Sequence, residues 1–333
     1  MTRGRVQVIE FESEVLRGNP LGDPATRRVP VWTPPSYETG TSRRYPVVFV
    51  LSGFSGRGRM LLNDNAWSPS LDDRLDALVG AGRCGEMIVV MPDCMTRFGG
   101  SQYLNSPATG RYGDHLVVEL VPWIDANFRT RAARDARGVA GKSSGGFGAI
   151  TLGMKHADVF GAVACHSGDM YFEFCYRPDL PKTLSVLQEA GGPRAFLEKF
   201  EAKAQKGKDD FLALNMLAMA ACYSPDPAAE LGTALPVDLV TAEFRDDVWA
   251  RWLAHDPLRL VAAHADALRS LKLLYLDCGS KDEFQLHHGA RRFVRELKAL
   301  GVAHHYEEYD DGHMNVPYRY DTSLPMLARA LGA

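Results

Sequence analysis

Ser143 lies in Gly141-Lys142-Ser143-Ser144-Gly145-Gly146, directly after the strand-like run Arg137-Gly138-Val139-Ala140 and before an apolar stretch of helical period. This is a G-x-S-x-G pattern in the strand–turn–helix setting that presents a serine hydroxyl on a sharp, strained turn. Side chains two before and two after the nucleophile would collide with neighbouring backbone in such a turn, so only glycine or another very small residue fits there. That requirement selects Ser143 over Ser144, because centring the motif on Ser144 puts Lys142 at a crowded position. The motif alone equally suits a plain helix start capped by either serine.

What separates the two readings is a base and an acid. A serine hydroxyl is a poor nucleophile until a base takes its proton, and that base needs a carboxylate to hold its tautomer. Asp282 follows the apolar run Leu271–Leu276 in Asp277-Cys278-Gly279-Ser280-Lys281-Asp282-Glu283-Phe284. Loops leaving the carboxyl ends of parallel strands face the reacting edge of an α/β sheet, which favours Asp282 over Asp277, the residue that ends the strand. A helix cap before Glu283 is the other role open to Asp282. His313, in Tyr309-Asp310-Asp311-Gly312-His313-Met314-Asn315, follows the strand-like 303–309, and Gly312 permits a turn back toward Ser143. Of the ten histidines, His304 and His305 fall in a strand, His287 and His288 in a helix, and His156 at a helix end. Only His313 combines a late position, a post-strand loop and an adjacent glycine. A hydrolase of this type also needs donors for the oxyanion, and the backbone N–H of Ser144 is the first; the loop Leu51-Ser52-Gly53-Phe54-Ser55-Gly56 offers the second.

These residues need a scaffold, and the pattern of the chain supplies one. Tyr45–Leu51, Met87–Met91 and Leu271–Leu276 are short, continuously apolar runs, as in strands covered on both faces of a parallel sheet. Between them, 113–128, 144–156 and 283–300 carry apolar residues at helical spacing. The alternation predicts an α/β fold with a mostly parallel central sheet and helices on both faces. Two further strands, 6–16 and 27–33, joined by Gly18-Asn19-Pro20-Leu21-Gly22-Asp23-Pro24, are expected to open the chain as an antiparallel pair. From 169 to 267 the rhythm breaks into helix-forming segments, among them 195–205, 211–221 and 248–253. That is too much chain for a simple connection, and it reads as a helical insertion or lid within a single domain spanning 1–333. The alternative is that these helices merely cover a sheet face.

At these residues the chain resembles the esterase branch of the α/β-hydrolases that contains esterase D (S-formylglutathione hydrolase), enterochelin esterase and the mycolyltransferases. The matching features are Tyr45–Gly53, Gly141–Gly146, Phe160-Gly161-Ala162-Val163, the Gly279–Phe284 loop and the Gly312-His313 turn. The resemblance implies an α/β-hydrolase fold, a triad of Ser143, Asp282 and His313, acyl transfer to water and no metal. The choice of the Phe54 N–H over that of Gly53 as second oxyanion donor rests partly on it. Where many relatives carry a histidine before the oxyanion-hole glycine this chain has Ser52, a residue also typical of the S-formylglutathione hydrolases. The 169–267 stretch is not typical of those enzymes. The Gly18–Pro24 turn is closer to the enterochelin-esterase-like members.

Composition bounds the remaining possibilities. With 333 residues, 46% hydrophobic and 24% charged, the chain has ample material for a buried core. Its net charge of −3 leaves no excess of basic residues to neutralise a phosphate backbone, which argues against nucleic acid as a partner. No apolar stretch approaches the roughly 20 residues a membrane helix requires. The N-terminus alternates polar and apolar residues and then meets Glu10, Glu12 and Glu14, unlike a signal peptide, so the expected location is cytoplasmic. The six cysteines are scattered without a CxxC pair and read as small apolar core residues. No H-E-x-x-H, Walker loop or G-x-G-x-x-G after the first buried strand is present, and no cofactor or metal is expected.

The reading is a serine-dependent carboxylic-ester hydrolase acting through a covalent acyl-enzyme on a small or medium ester. Thioester hydrolysis or acyl transfer by the same triad is the alternative, and a non-catalytic binding protein on a hydrolase scaffold is the third. Tyr171 and Phe172, in Met170-Tyr171-Phe172-Glu173-Phe174-Cys175-Tyr176, could wall an apolar acyl pocket or simply anchor the helical stretch to the core. A homodimer is the expectation set by the frequency of symmetric pairs.

Overall fold

The computed structural model describes residues 3–39 and 42–333. Eight strands form one sheet: β1 Arg5–Glu12, β2 Thr26–Thr33, β3 Val47–Leu51, β4 Ile88–Val90, β5 Arg137–Lys142, β6 Ala162–His166, β7 Leu273–Gly279 and β8 His305–Tyr309. Their spatial order is β1-β2-β4-β3-β5-β6-β7-β8. β1 pairs antiparallel with β2, and β2 antiparallel with β4, while every other pairing is parallel. The carboxyl ends of β3, β5, β6, β7 and β8 therefore share one edge, which is where the sequence puts its candidate residues.

Period-two alternation decides which face each strand residue serves. Val47, Phe49 and Leu51 of β3 join the core with Leu116, Ile150, Phe293 and Leu297, whereas Val48 and Val50 join Leu71, Leu75, Leu78, Leu324 and Leu327. The first face is covered by α2 (112–127), α3 (Ser144–Lys155) and, further along the chain, Leu286–Ala299. The second is covered by α1 (Leu71–Gly80) and the C-terminal helix Tyr320–Ala330. Full burial of each of these apolar side chains contributes about 1.5–3 kcal/mol. The mostly parallel sheet with helices on both faces matches the pattern read from the sequence.

Between β6 and β7 the chain is helical, with α4 Leu180–Ala190, α5 Pro193–Ala202, α6 Lys208–Tyr223 and α7 Asp246–Leu253. These build a second apolar cluster of their own, including Leu187, Phe196, Met216, Leu217 and Trp252, which reaches the sheet edge through Phe147 and Cys278. The remaining long helices are α8 Leu286–Ala299 and α9 Tyr320–Ala330.

Several boundaries differ from expectation for local reasons. β1 stops at Glu12, four residues before the expected end at Leu16. There Glu119 accepts the Ser13 hydroxyl at 2.5 Å and the Val15 N–H at 3.0 Å, which draws the chain off the ladder. α8 starts at Leu286 and not at Glu283, because Asp282 holds the Phe284 N–H at 2.9 Å and Gln285 is left-handed, with φ +62°. The middle of α2, His115–Leu120, is π-helical. The helix α9, which carries Pro325, has no counterpart in the sequence pattern.

Candidate active site

Ser143 stands between β5 and α3 with φ +59° and ψ −127°, a conformation that costs a non-glycine residue about 1–3 kcal/mol. The reason for the flanking glycines is visible in the packing. A Cβ on Gly141 would come 2.2 Å from the Gly145 carbonyl oxygen, and one on Gly145 would come 2.2 Å from the Leu51 carbonyl oxygen. The strain is held by the Ser143 N–H, which donates to the His166 carbonyl at 2.9 Å, and by the Ser143 carbonyl, which accepts from the Phe147 N–H at 2.9 Å. The Ser143 hydroxyl makes no capping bond to the helix that follows. A strained position held without a capping role fits a presented nucleophile better than a helix cap.

His313 Nδ1 lies 2.8 Å from Asp282 Oδ2. Both side chains are buried, at 3% and 1% exposure. Burial alone would raise the Asp282 carboxyl, but the hydrogen bond and charge of His313, together with the N–H groups of Phe284 and Leu286, hold it below the ordinary value. An ionised Asp282 only accepts, so Nδ1 of His313 is the donor in this bond. Asp282 Oδ1 also accepts from the Phe284 and Leu286 N–H groups in the turn before α8, while Oδ2 meets His313. The Cys278 thiol is 3.8 Å from Oδ2. Glu283 turns back to accept the His313 N–H at 2.6 Å, and the Phe284 ring meets the imidazole edge-on at 4.8 Å.

Ser143 and His313 are not directly hydrogen-bonded, although the sequence reading expects them within reach of each other. The loop after β3 does lie against the serine, since a Cβ on Gly53 would sit 3.5 Å from Ser143 Cβ. Neither the Phe54 N–H nor the Ser144 N–H donates to a protein acceptor among the described residues. The hairpin 95–100 fixes Phe54: at Gly99, with φ +113°, a Cβ would strike the Phe54 ring at 2.5 Å.

Tyr171 and Phe172 follow β6 as expected but differ in role. Phe172 is fully buried against Phe147, Tyr176 and Tyr223, which makes it an anchor of the helical segment with no surface to offer a ligand. Tyr171 is left-handed with φ +63°; it stacks on Phe174 at 4.4 Å and lies under the Arg292 guanidinium at 4.2 Å.

A polar group beside the elbow is absent from the sequence reading. Asp169, buried two residues beyond Ser167, accepts from Tyr176 OH at 2.8 Å, from Gln102 Nε2 at 3.1 Å and from the Ser144 hydroxyl at 3.3 Å. Burial raises its carboxyl above the ordinary value against the opposing pull of those donors and of His313. The signal that could have found it is its place, an acid in a loop after a buried strand. Gln102 is silent in sequence because it is brought in by a loop in which both it and Tyr103 have positive φ. Lys142, half-buried beside Ser143, has its ammonium pushed down by burial, opposed by the charges of Asp282, Glu283 and Asp169.

A cleft of about 350 Å³, lined by Leu21, Arg97, Phe98, Ala108, Arg194 and Leu197 among others, includes none of Ser143, Asp282 or His313. Among the described residues no cluster of three or more His, Cys, Asp or Glu could hold a metal ion, and no helix is long and apolar enough to cross a membrane.

Comparison with known proteins bears on the family and the fold. Esterase Rv1288 of Mycobacterium tuberculosis is 26% identical over 280 residues, which are 78% of this chain and 56% of that protein. The chain thus spans about half the length of the curated relatives it matches first. Among solved structures, a ferulic acid esterase superposes with a TM-score of 0.65 at 21% identity, covering 99% of this chain and 100% of the other. The S-formylglutathione hydrolase of Agrobacterium tumefaciens gives 0.59 at 17% identity, covering 100% and 97%. At these identities the likeness establishes the fold, which is that of the α/β-hydrolases. The model of the putative esterase family matches residues 24–326, and the chain belongs to that family.

Proposed function

We propose that this chain hydrolyses carboxylic esters through a covalent acyl-Ser143 intermediate. His313 Nε2 takes the serine proton as Oγ attacks the ester carbonyl, and returns it to the departing alcohol. Asp282 holds the imidazole in the tautomer this requires and stabilises the imidazolium that forms. The N–H groups of Phe54 and Ser144, free of protein acceptors, receive the developing oxyanion, a contribution worth about 2.7–4 kcal/mol per donor in well-formed sites. Water then attacks the acyl-enzyme with His313 as base again. The hydrogen bond between Ser143 and His313, absent from the unliganded structure, forms when substrate excludes water, since catalytic hydrogen bonds are often long or poorly aligned before substrate binds. The observation that carries the reading is the strained, uncapped Ser143, held on the same sheet edge as the 2.8 Å pair of His313 and Asp282.

The substrate class is a small or medium ester. Residues 1–333 act in this reading as one domain, with 169–267 capping the site as a helical insertion. The relatives include a ferulic acid esterase and an S-formylglutathione hydrolase by name, so an aromatic acyl ester and a thioester are the two alternatives to set beside simple esters. The test is hydrolysis of p-nitrophenyl esters from acetate to long acyl chains, with methyl ferulate and S-formylglutathione alongside, by the wild type and by Ser143→Ala. Turnover that disappears in the variant supports the mechanism, and the preferred acyl group gives the pocket. Turnover that survives Ser143→Ala refutes it.

A further inference from the structure

A second Ser–His–Asp chain exists in the molecule, and every link in it is closed. His166 Nδ1 is 2.8 Å from Asp277 Oδ1, and His166 Nε2 is 2.8 Å from the Ser323 hydroxyl. None of the three is more than 2% exposed, so no substrate reaches them. The chain extends through Asp277 Oδ2, which accepts from Tyr275 OH and from Arg319 Nε, each at 2.8 Å. Arg319 in turn reaches Tyr275 OH at 2.8 Å, pairs with Glu307 of β8, and sits 4.5 Å over the Tyr309 ring.

We propose that the buried chain Ser323–His166–Asp277–Arg319 positions the reacting groups from beneath the sheet edge. The inference rests on the reading of Ser143, Asp282 and His313 given above. The buried chain is tied to Ser143 by a main-chain bond, and to the strands that lead to Asp282 and His313 through Asp277 and the Tyr309 ring. The His166 carbonyl holds the Ser143 N–H at 2.9 Å. Asp277 lies on the strand that leads into the acid loop, and its carbonyl holds the Ser167 N–H at 2.8 Å. Tyr309, under Arg319, ends the strand that leads to His313, and its carbonyl accepts the Ser280 N–H at 2.8 Å where the acid loop begins. The side chains thus lock the ends of β6, β7 and β8 against α9, and through them the elbow, the acid and the base.

Stability alone is a weak reason for such a group. Buried ions are costly to desolvate, and apolar side chains of similar volume often serve a core equally well or better. What the ionic chain supplies is a fixed relative placement of three strand ends. Attack geometry is sensitive on that scale, since a misplacement of about 1 Å costs roughly 100-fold in rate.

The test compares Arg319→Met, Arg319→Lys, Ser323→Ala and Ser143→Ala in steady-state hydrolysis of whichever ester the wild type turns over best, with circular dichroism and thermal unfolding as controls. Ser143→Ala reports on the triad reading separately; if it retains wild-type activity, both that reading and this one fall. With Ser143→Ala inactive, folded Arg319→Met is expected to lose about 10- to 100-fold in kcat with KM within about twofold, and Arg319→Lys to recover part of the loss. Ser323→Ala, which removes one link only, is expected to lose about threefold in kcat at unchanged KM, and it decides the matter if Arg319→Met does not fold. Wild-type kcat in a folded variant overturns the positioning role while leaving the triad standing. A fall in thermal stability with kcat and KM unaltered in the folded fraction assigns the chain to fold stability and also overturns it.

Discussion

Asp282 Oδ2 and His313 Nδ1 are 2.8 Å apart, while Asp282 Oδ1 faces the N–H groups of Phe284 and Leu286. One carboxylate therefore fixes both the imidazole and its own turn before α8. Asp282→Asn keeps the size but offers an N–H where an acceptor is needed, which favours the wrong histidine tautomer. The expected loss in kcat is about 10⁴-fold, with KM little changed. Steady-state kinetics beside Ser143→Ala, whose loss should be at least as large, provide the check.

The glycines of the elbow predict a packing effect separable from chemistry. Gly145→Ala places a methyl group 2.2 Å from the Leu51 carbonyl, which is main chain of β3 and cannot swing aside. The expected cost is about 3 kcal/mol in urea-monitored unfolding. A change below about 0.5 kcal/mol would contradict the close approach of α3 to β3.

Acid should weaken the fold through buried histidines. Burial, reinforced by the charge of Arg27, pushes His115 down to about 3, and burial pushes His255 down to about 4. Both return to about 6.5 on unfolding. Between those values the unfolded chain binds more protons than the folded one, so stability is full above about pH 6.5 and falls as the pH drops toward 4. Neither ring nitrogen of His115 has a hydrogen-bond partner among the described residues, so His115→Leu should remove up to about 2 kcal/mol of the loss at pH 5. Urea unfolding at pH 7 and pH 5 measures it; equal losses in wild type and variant would contradict the buried neutral ring.

Asp256 fixes the start of the helical segment to its far end. Fully buried, it accepts the N–H groups of Tyr171 at 3.0 Å, Phe172 at 2.9 Å and Leu258 at 2.9 Å. Asp256→Ala leaves these amides without an acceptor, at an expected cost of about 3 kcal/mol. Limited proteolysis should then cut first near 171, where the backbone is held left-handed.

The six cysteines are all buried and unpaired. A thiol reagent such as dithiobis-nitrobenzoate should react with less than one thiol per native chain, and with all six after denaturation. Fast reaction of one thiol in the native protein would point to local opening near that residue.

What the sequence alone determined follows from local rules. The sharp turn at Ser143 is written in Gly141 and Gly145, because no other residue type tolerates those approaches. The parallel strands are written in continuous apolar runs, because a strand covered on both faces has no polar side to show. Asp282 and His313 are legible because a loop after a parallel strand has only one edge to face. Tertiary structure alone decided which Ser, His and Asp would close a hydrogen-bonded chain. Ser323, His166 and Asp277 come from an unforeseen helix and two strands, separated by 111 and 157 residues along the chain. Gln102 reaches Asp169 across 67 residues through a loop of positive φ. Phe172 is a packing residue because Tyr223 and Phe147 meet it from distant helices. Such pairings depend on where strands and helices cross in space, and residue type and spacing do not encode those crossings.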